Sequence, residues 1–205
     1  MTVEPLSLPA SLRFYRSSRA NRSALDLIIS KPELPADLRW DEVLAFHDAA
    51  MAAQRVQLDY FALLYKVWQA TWGTAKKELL RSTSEPTVAE LSSEWGLSVS
   101  DVWYQGLFCR IDLRDRVSMW CGVSFADNEK EISLYFYISS RNGDYLLSDG
   151  LNLSADWLRA DADHHRVTAL GLCPFHQETF EVMPLTRTAR HALEAALQAV
   201  VKSED

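Results

Sequence analysis

The sequence predicts an α+β fold: an N-terminal long helix or helical hairpin, a central antiparallel meander sheet of about four to five strands, and a C-terminal helix. Three observations carry this expectation. Residues 41–80 contain no proline and a single glycine, Gly73, and apolar side chains return there at intervals of three and four. Residues 107–138 instead alternate apolar and polar with period two. After Thr186 a helical period resumes, with Ala189, Leu193, Ala196, Leu197 and Val200 on one face. A chain of 205 residues that is 48% apolar is sufficient for one core. The domain reading is an N-terminal arm over 1–36 and a single α+β domain over 37–205. Within that domain, 37–106 is mainly helical, 107–185 is antiparallel sheet and 186–202 is the last helix.

Within residues 1–30 arginine repeats every third residue, at Arg13, Arg16, Arg19 and Arg22, among Ser17, Ser18 and Ser23, against only Glu4 and Asp26. Such a stretch reads as a solvated terminus, or as an arm that touches phosphate or an acidic partner. Its composition also resembles a transit segment, although Pro5 and Pro9 speak against an uninterrupted amphipathic helix. Pro32 and Pro35 then break the chain, and Asp37 or Asp41 is placed to cap the next helix.

From Asp41 to Leu80 the spacing writes a heptad seam. Leu44, Met51, Leu58, Tyr65, Trp72 and Leu79 recur every seven residues, interleaved with His47, Gln54, Phe61, Trp68 and Ala75. Unbroken, this helix would be about 60 Å long. Either it breaks near Gly73, or it outruns the body and offers residues 41–80 as a homodimer seam. Its aromatic half, Tyr60 to Trp72, is expected to pack on the sheet.

In the sheet, hydrophobic alternation sets the register, because a slip of one residue turns a strand's whole apolar set toward water. Phe125 is expected opposite Ile132, Val123 opposite Leu134, Cys121 opposite Phe136 and Met119 opposite Ile138. In the first hairpin, with Arg114-Asp115-Arg116 as its loop, Ile111 faces Met119, Cys109 faces Cys121 and Leu107 faces Val123. Asp127-Asn128-Glu129-Lys130 and Arg141-Asn142-Gly143-Asp144 supply turns. Ser154 is read as the start of a short helix through Trp157, with further strands over Arg166–Leu172 and Glu178–Met183.

The opposite face of this sheet is the leading candidate site. It collects Phe108, Arg110, Trp120, Tyr135 and Tyr137, among Ser118, Ser124, Ser133 and Ser139. Arg110 lies beside Trp120, the pairing for a guanidinium stack on indole. Stiff aromatic area with adaptable hydroxyls is the chemistry of protein-binding hot spots. The competing expectation is that the 41–80 helix covers this face, although the wholly apolar face has the stronger claim on it.

A second signal lies at residues 87–105, where Thr87 with Glu90 and Ser98 with Asp101 suit two helix caps around Gly96. The segment resembles a helix-turn-helix, which implies DNA binding through Ser98, Ser100, Trp103 and Tyr104. It departs from that pattern at Gln105, where an apolar anchor belongs, and its second helix has no Lys or Arg for phosphates or bases. Third, Asp161, Asp163, His164 and His165 precede Cys173-x-x-His176, a scatter of metal-ligand types without a second close-spaced pair. A polar loop is the expected reading, with no metal and no cofactor.

Catalytic templates fail. There is no Gly-x-Ser-x-Gly elbow, no phosphate-binding Gly-Lys loop and no His-Glu-x-x-His. The formal charge of −7 argues against a nucleic-acid coat and suggests a basic protein partner, approached by electrostatic steering. No apolar run approaches a membrane span, and the N-terminus shows no apolar signal core. Three scattered cysteines suggest reduced thiols and a cytoplasmic location. The expectation is therefore a non-enzymatic protein that binds another protein. Compactness, acidity and missing motifs give it the profile of inhibitors, immunity proteins and adaptors of bacterial or phage conflict systems. The alternative class is a DNA-binding transcriptional regulator that uses residues 87–105.

Overall fold

The computed structural model describes residues 5–30, 36–81, 107–114, 117–125, 132–140, 151–155, 157–159, 165–169 and 179–202. In chain order the elements are β1 (Leu6–Ser7), α1 (Ala10–Ser17), α2 (Arg19–Ser30), α3 (Trp40–Trp68), a π turn (Gln69–Gly73) and α4 (Thr74–Leu80). They are followed by β2 (Leu107–Arg114), β3 (Val117–Phe125), β4 (Ile132–Ser140), β5 (Leu158–Arg159), β6 (His165–Ala169), β7 (Thr179–Phe180) and α5 (Met183–Lys202). The mixed helix and sheet, the three long antiparallel strands, the long helix and the C-terminal helix are all as the sequence suggests.

Both hairpin registers follow the hydrophobic alternation residue for residue. Cys109 pairs with Cys121 and Ile111 with Met119, while Cys121 pairs with Phe136 and Val123 with Leu134. A register shift between Asp112 and Arg114 ends the first ladder. Beyond β4 the chain does not continue as a plain meander. β6 pairs with β4 and β5 lies outside β6, giving the order β2-β3-β4-β6-β5. A strand was expected over Glu178–Met183; among the described residues there, Thr179–Phe180 is the strand, and it pairs with β1 in a separate two-stranded ribbon. α5 begins at Met183 rather than after Thr186. Pro184 falls in its first turn, where a missing N–H leaves no helical bond unmade. After Ser154 there is one hydrogen-bonded turn, Trp157 N–H to Ser154 C=O, in place of the expected helix.

The N-terminal stretch does not lie loose. α1 and α2 fold against α3, and Leu8, Leu12 and Leu25 join the core. Ser18 accepts the Asn21 N–H as the cap of α2. Ser11 donates to Asp59 at 2.6 Å, tying α1 to α3. Neither Asp37 nor Asp41 caps α3. Instead Glu42 reaches back to accept the Arg39 N–H at 2.8 Å.

The long helix runs through Gly73 without ending, but it changes pitch. The expected single seam from Leu44 to Leu79 is corrected here: a heptad row drifts by about 20° per heptad on a straight α-helix, which already brings Trp68 to the core, and the π turn adds a further rotation. A π turn admits one residue more than an α turn, so everything after it is rotated by about 100° against a continuous α-helix. Before the turn, Leu44, Met51 and Leu58 face solvent. Trp72 within the turn and Ala75 after it are wholly buried. The core side of α3 is a stripe the heptad reading passed over: Ala53, Val56, Gln57, Tyr60, Leu63, Leu64 and Val67. Thr186 of α5 donates to the Ala70 carbonyl within the π turn at 2.8 Å, which clamps the last helix to it.

The wholly apolar sheet face packs under this helical layer. Leu107, Cys109, Ile111, Met119, Cys121, Val123, Leu134, Phe136 and Ile138 are all buried. Two indoles from the long helix reach the central strand. Trp68 donates to the Cys121 carbonyl and Trp72 to the Gly122 carbonyl, each at 3.0 Å. These bonds let two large rings be buried with their N–H groups satisfied. Trp72 also meets Phe136 edge-on and lies beside Trp157.

Candidate functional site

The helices take the apolar face, so the other face of β2-β3-β4 carries the candidate residues. Alternation places Phe108, Arg110, Asp112, Ser118, Trp120, Gly122, Ser124, Ser133, Tyr135, Tyr137 and Ser139 there. Arg110 is exposed, Trp120, Tyr135 and Tyr137 are half-buried, and Phe108 is buried. The structure thus brings all five candidates onto one face.

The face resolves into two ring pairs and a charged corner. Trp120 and Tyr137, cross-strand neighbours, stack with centroids 5.9 Å apart and planes within 14°. Trp120 Nε1 donates to Ser139 Oγ at 3.1 Å, which fixes the indole. Phe108 and Tyr135 sit on β2 and β4, with β3 between them, yet their centroids are only 5.8 Å apart. Gly122 explains this, being the residue paired with both. A Cβ there would fall 2.3 Å from the Phe108 ring, so the ring lies across the glycine toward Tyr135. Ser124 donates to the Tyr135 hydroxyl at 2.9 Å, holding that ring from the other side.

At the corner, Arg110 Nε donates to Asp112 Oδ1 at 2.8 Å and to Ser118 Oγ at 2.9 Å, and Ser118 donates to the same carboxylate oxygen. The expected guanidinium stack on Trp120 is therefore replaced. Arg110 is drawn to the carboxylate, a charge-assisted bond, and Tyr137 covers the indole. Partial burial raises the Asp112 pKa, but the hydrogen bonds from Ser118 and Arg110 and the charges of Arg110 and Lys76 outweigh it. The carboxyl sits below its usual range.

The four serines are buried while Trp120, Tyr135 and Tyr137 remain partly open. Ser139 and Ser124 hold the Trp120 and Tyr135 rings, and Ser118 joins the Arg110–Asp112 corner. Asp112 and Gly122 belong to this face but stood outside the expected set. Parity with Arg110 would have found the first, and the Phe108 and Tyr135 registers the second.

The helix-turn-helix segment, with Ser98, Ser100, Trp103 and Tyr104, lies outside the described residues, as do Asp161, Asp163, His164, Cys173 and His176. Among the described residues no cluster of three or more His, Cys, Asp or Glu side chains is placed to hold a metal ion. Nor is any helix among them long and apolar enough to cross a membrane. Cys109 and Cys121 are free thiols, both buried. Burial, and then the neighbouring Cys109, push the Cys121 thiol well above its ordinary pKa, the opposite of what a nucleophile needs. No protein-family model, no curated protein and no solved structure matches the chain.

Proposed function

We propose that this chain is a non-enzymatic interaction protein, of the inhibitor, immunity or adaptor kind found in bacterial or phage conflict systems. It binds a protein partner through Phe108, Arg110, Trp120, Tyr135 and Tyr137. The reading takes the sheet as five strands, β5 and β6 included, with the ring-bearing face turned outward. The observation that carries it is the Trp120–Tyr137 stack, partly open to solvent on the face away from the helices. Rings already held by serines lose little freedom on docking, so most of their contact area counts toward affinity. A net charge of −7 favours a basic partner. The adjacent free thiols of Cys109 and Cys121 support a reducing, cytoplasmic setting.

The test is affinity capture from the native host, followed by calorimetry with the purified partner. Trp120→Ala and Tyr137→Ala are each expected to weaken binding at least a hundredfold, and rising salt to weaken the wild type. Thermal stability should fall by no more than about 1 kcal/mol, since neither ring lies in the main core. Unchanged binding by both variants would overturn the reading.

A further inference from the structure

The first half of α3 is apolar on two opposite sides. One side meets the core through Ala53, Val56, Gln57 and Tyr60. About 180° round the helix, Trp40 is 75% exposed, Leu44 53%, Met51 54% and Leu58 65%. These four fall within about 20° of one line at 100° per residue. Together they leave roughly 500 Å² of apolar surface open, near the most a monomer ordinarily exposes in one patch. None of it belongs to the sheet face proposed above.

We propose that this stripe docks on the same stripe of a second copy, as an antiparallel two-helix seam. The helix runs as a heptad in which Leu44, Met51, Leu58 and Tyr65 form one row and Trp40, His47, Gln54 and Phe61 the other. In an antiparallel pair each layer matches one row with the other. Only the offset matters, and the flanking charges select it. When the row residues that share a layer add to 105, Asp48 of each copy comes within two residues, about 3 Å along the axis, of Arg55 of the other, twice by symmetry. Shifting by one heptad in one direction brings Asp48 against Asp48, and in the other direction Arg55 against Arg55. A parallel pair sets Asp48 beside Val43 and Arg55 beside Ala50, with no charge match.

In the selected register Trp40 lies against Tyr65 and Leu44 against Phe61 at both ends, Phe61 and Tyr65 being half-buried against the core so that each offers one edge of its ring. Met51 meets Gln54 at the centre, on either side of the two-fold axis. Both charges are available, Asp48 and Arg55 having side chains 89% and 71% exposed. Among the described residues Arg55 is engaged only through Nε, with Asp59 at 3.0 Å. A seam of about seven turns, partly covered at its ends, buries on the order of 1,200 Å² in total, the lower limit for a specific dimer, so a micromolar association is expected.

The experiment is sedimentation of the full chain over a concentration series, with variants. Wild type should pass from monomer to dimer across the micromolar range. Met51→Lys, which puts two cations at the axis, should weaken dimerisation at least a hundredfold. Its thermal midpoint at monomeric concentration should stay that of wild type, because Met51 faces away from the core. Asp48→Arg should weaken it about tenfold.

Spin labels at Ala45 and Ala52 read the direction of pairing. Antiparallel helices at this offset give a short distance between copies at 52 and one longer by an axial component of about 20 Å at 45, whereas parallel helices give equal distances. A strictly monomeric protein at 100 µM, a dimer indifferent to Met51→Lys, or equal distances at the two sites would each overturn the proposal. Trp120→Ala and Tyr137→Ala should dimerise like wild type, which keeps this test separate from that of the sheet face.

Discussion

Substituting Gly122 by alanine tests whether the Phe108 ring truly lies across the central strand. The added methyl would stand 2.3 Å from ring carbons, far inside contact distance, so the ring must swing away. Phe108 is buried, and lifting it exposes most of that area, at a cost of about 2 kcal/mol for a ring covered chiefly from one side. Against this, replacing glycine by alanine within a strand contributes roughly 0.5–1 kcal/mol. The balance is a loss of about 1–1.5 kcal/mol, or some 2–6 °C in Tm for a chain of this size.

The sharper reading comes from a double-mutant cycle. With Phe108→Ala in place there is no ring to displace, so Gly122→Ala should become stabilising by roughly 0.5–1 kcal/mol. Chemical denaturation of the four proteins measures the coupling, expected near 2 kcal/mol with a change of sign. Equal effects of Gly122→Ala in both backgrounds would refute the packing argument, and with it the account of why Phe108 reaches Tyr135.

Deleting Ala70 removes the extra residue of the π turn and lets α3 and α4 join as one α-helix with both buried faces preserved. The deletion should lose only about 1–2 kcal/mol, chiefly the Thr186 bond, whereas deleting Ala53 should unfold the protein by circular dichroism. In a Cys173→Ser background, Ellman's reagent at pH 8 should find no reactive thiol in the native protein and two after denaturation, because Cys109 and Cys121 are buried. The Asp112 pKa is depressed in the folded state, so its stabilising contribution is complete above the unfolded value of about 4 and is lost as pH falls through the folded one. Asp112→Asn should therefore lower Tm slightly and by a constant amount at neutral pH and make the acid side of the Tm–pH profile shallower below about pH 4, with only a small amplitude because the carboxylate is largely exposed.

What could be read in advance was whatever depends on period alone. Alternation in residues 107–138 determined the membership of each sheet face and excluded every odd slip of the hairpin registers, because such a slip mixes grease with polar groups; with the loop placed at 114–116 it also set Cys109 opposite Cys121. The seam in 41–80 was also visible, but its meaning was not. A heptad count assumes constant pitch, and the π turn at Gln69–Gly73 rotates Trp72 and Ala75 inward while Leu44, Met51 and Leu58 remain outside. Likewise Arg110 had two neighbours of suitable chemistry, and only the bulge near Asp112 and the reach of Ser118 decided that it serves the carboxylate and not the indole. Local repeats state which side chains share a face. Which face is then covered, and which partner a charged group accepts, depends on distances between segments far apart in the chain, and those exist only once the helices and the sheet have packed.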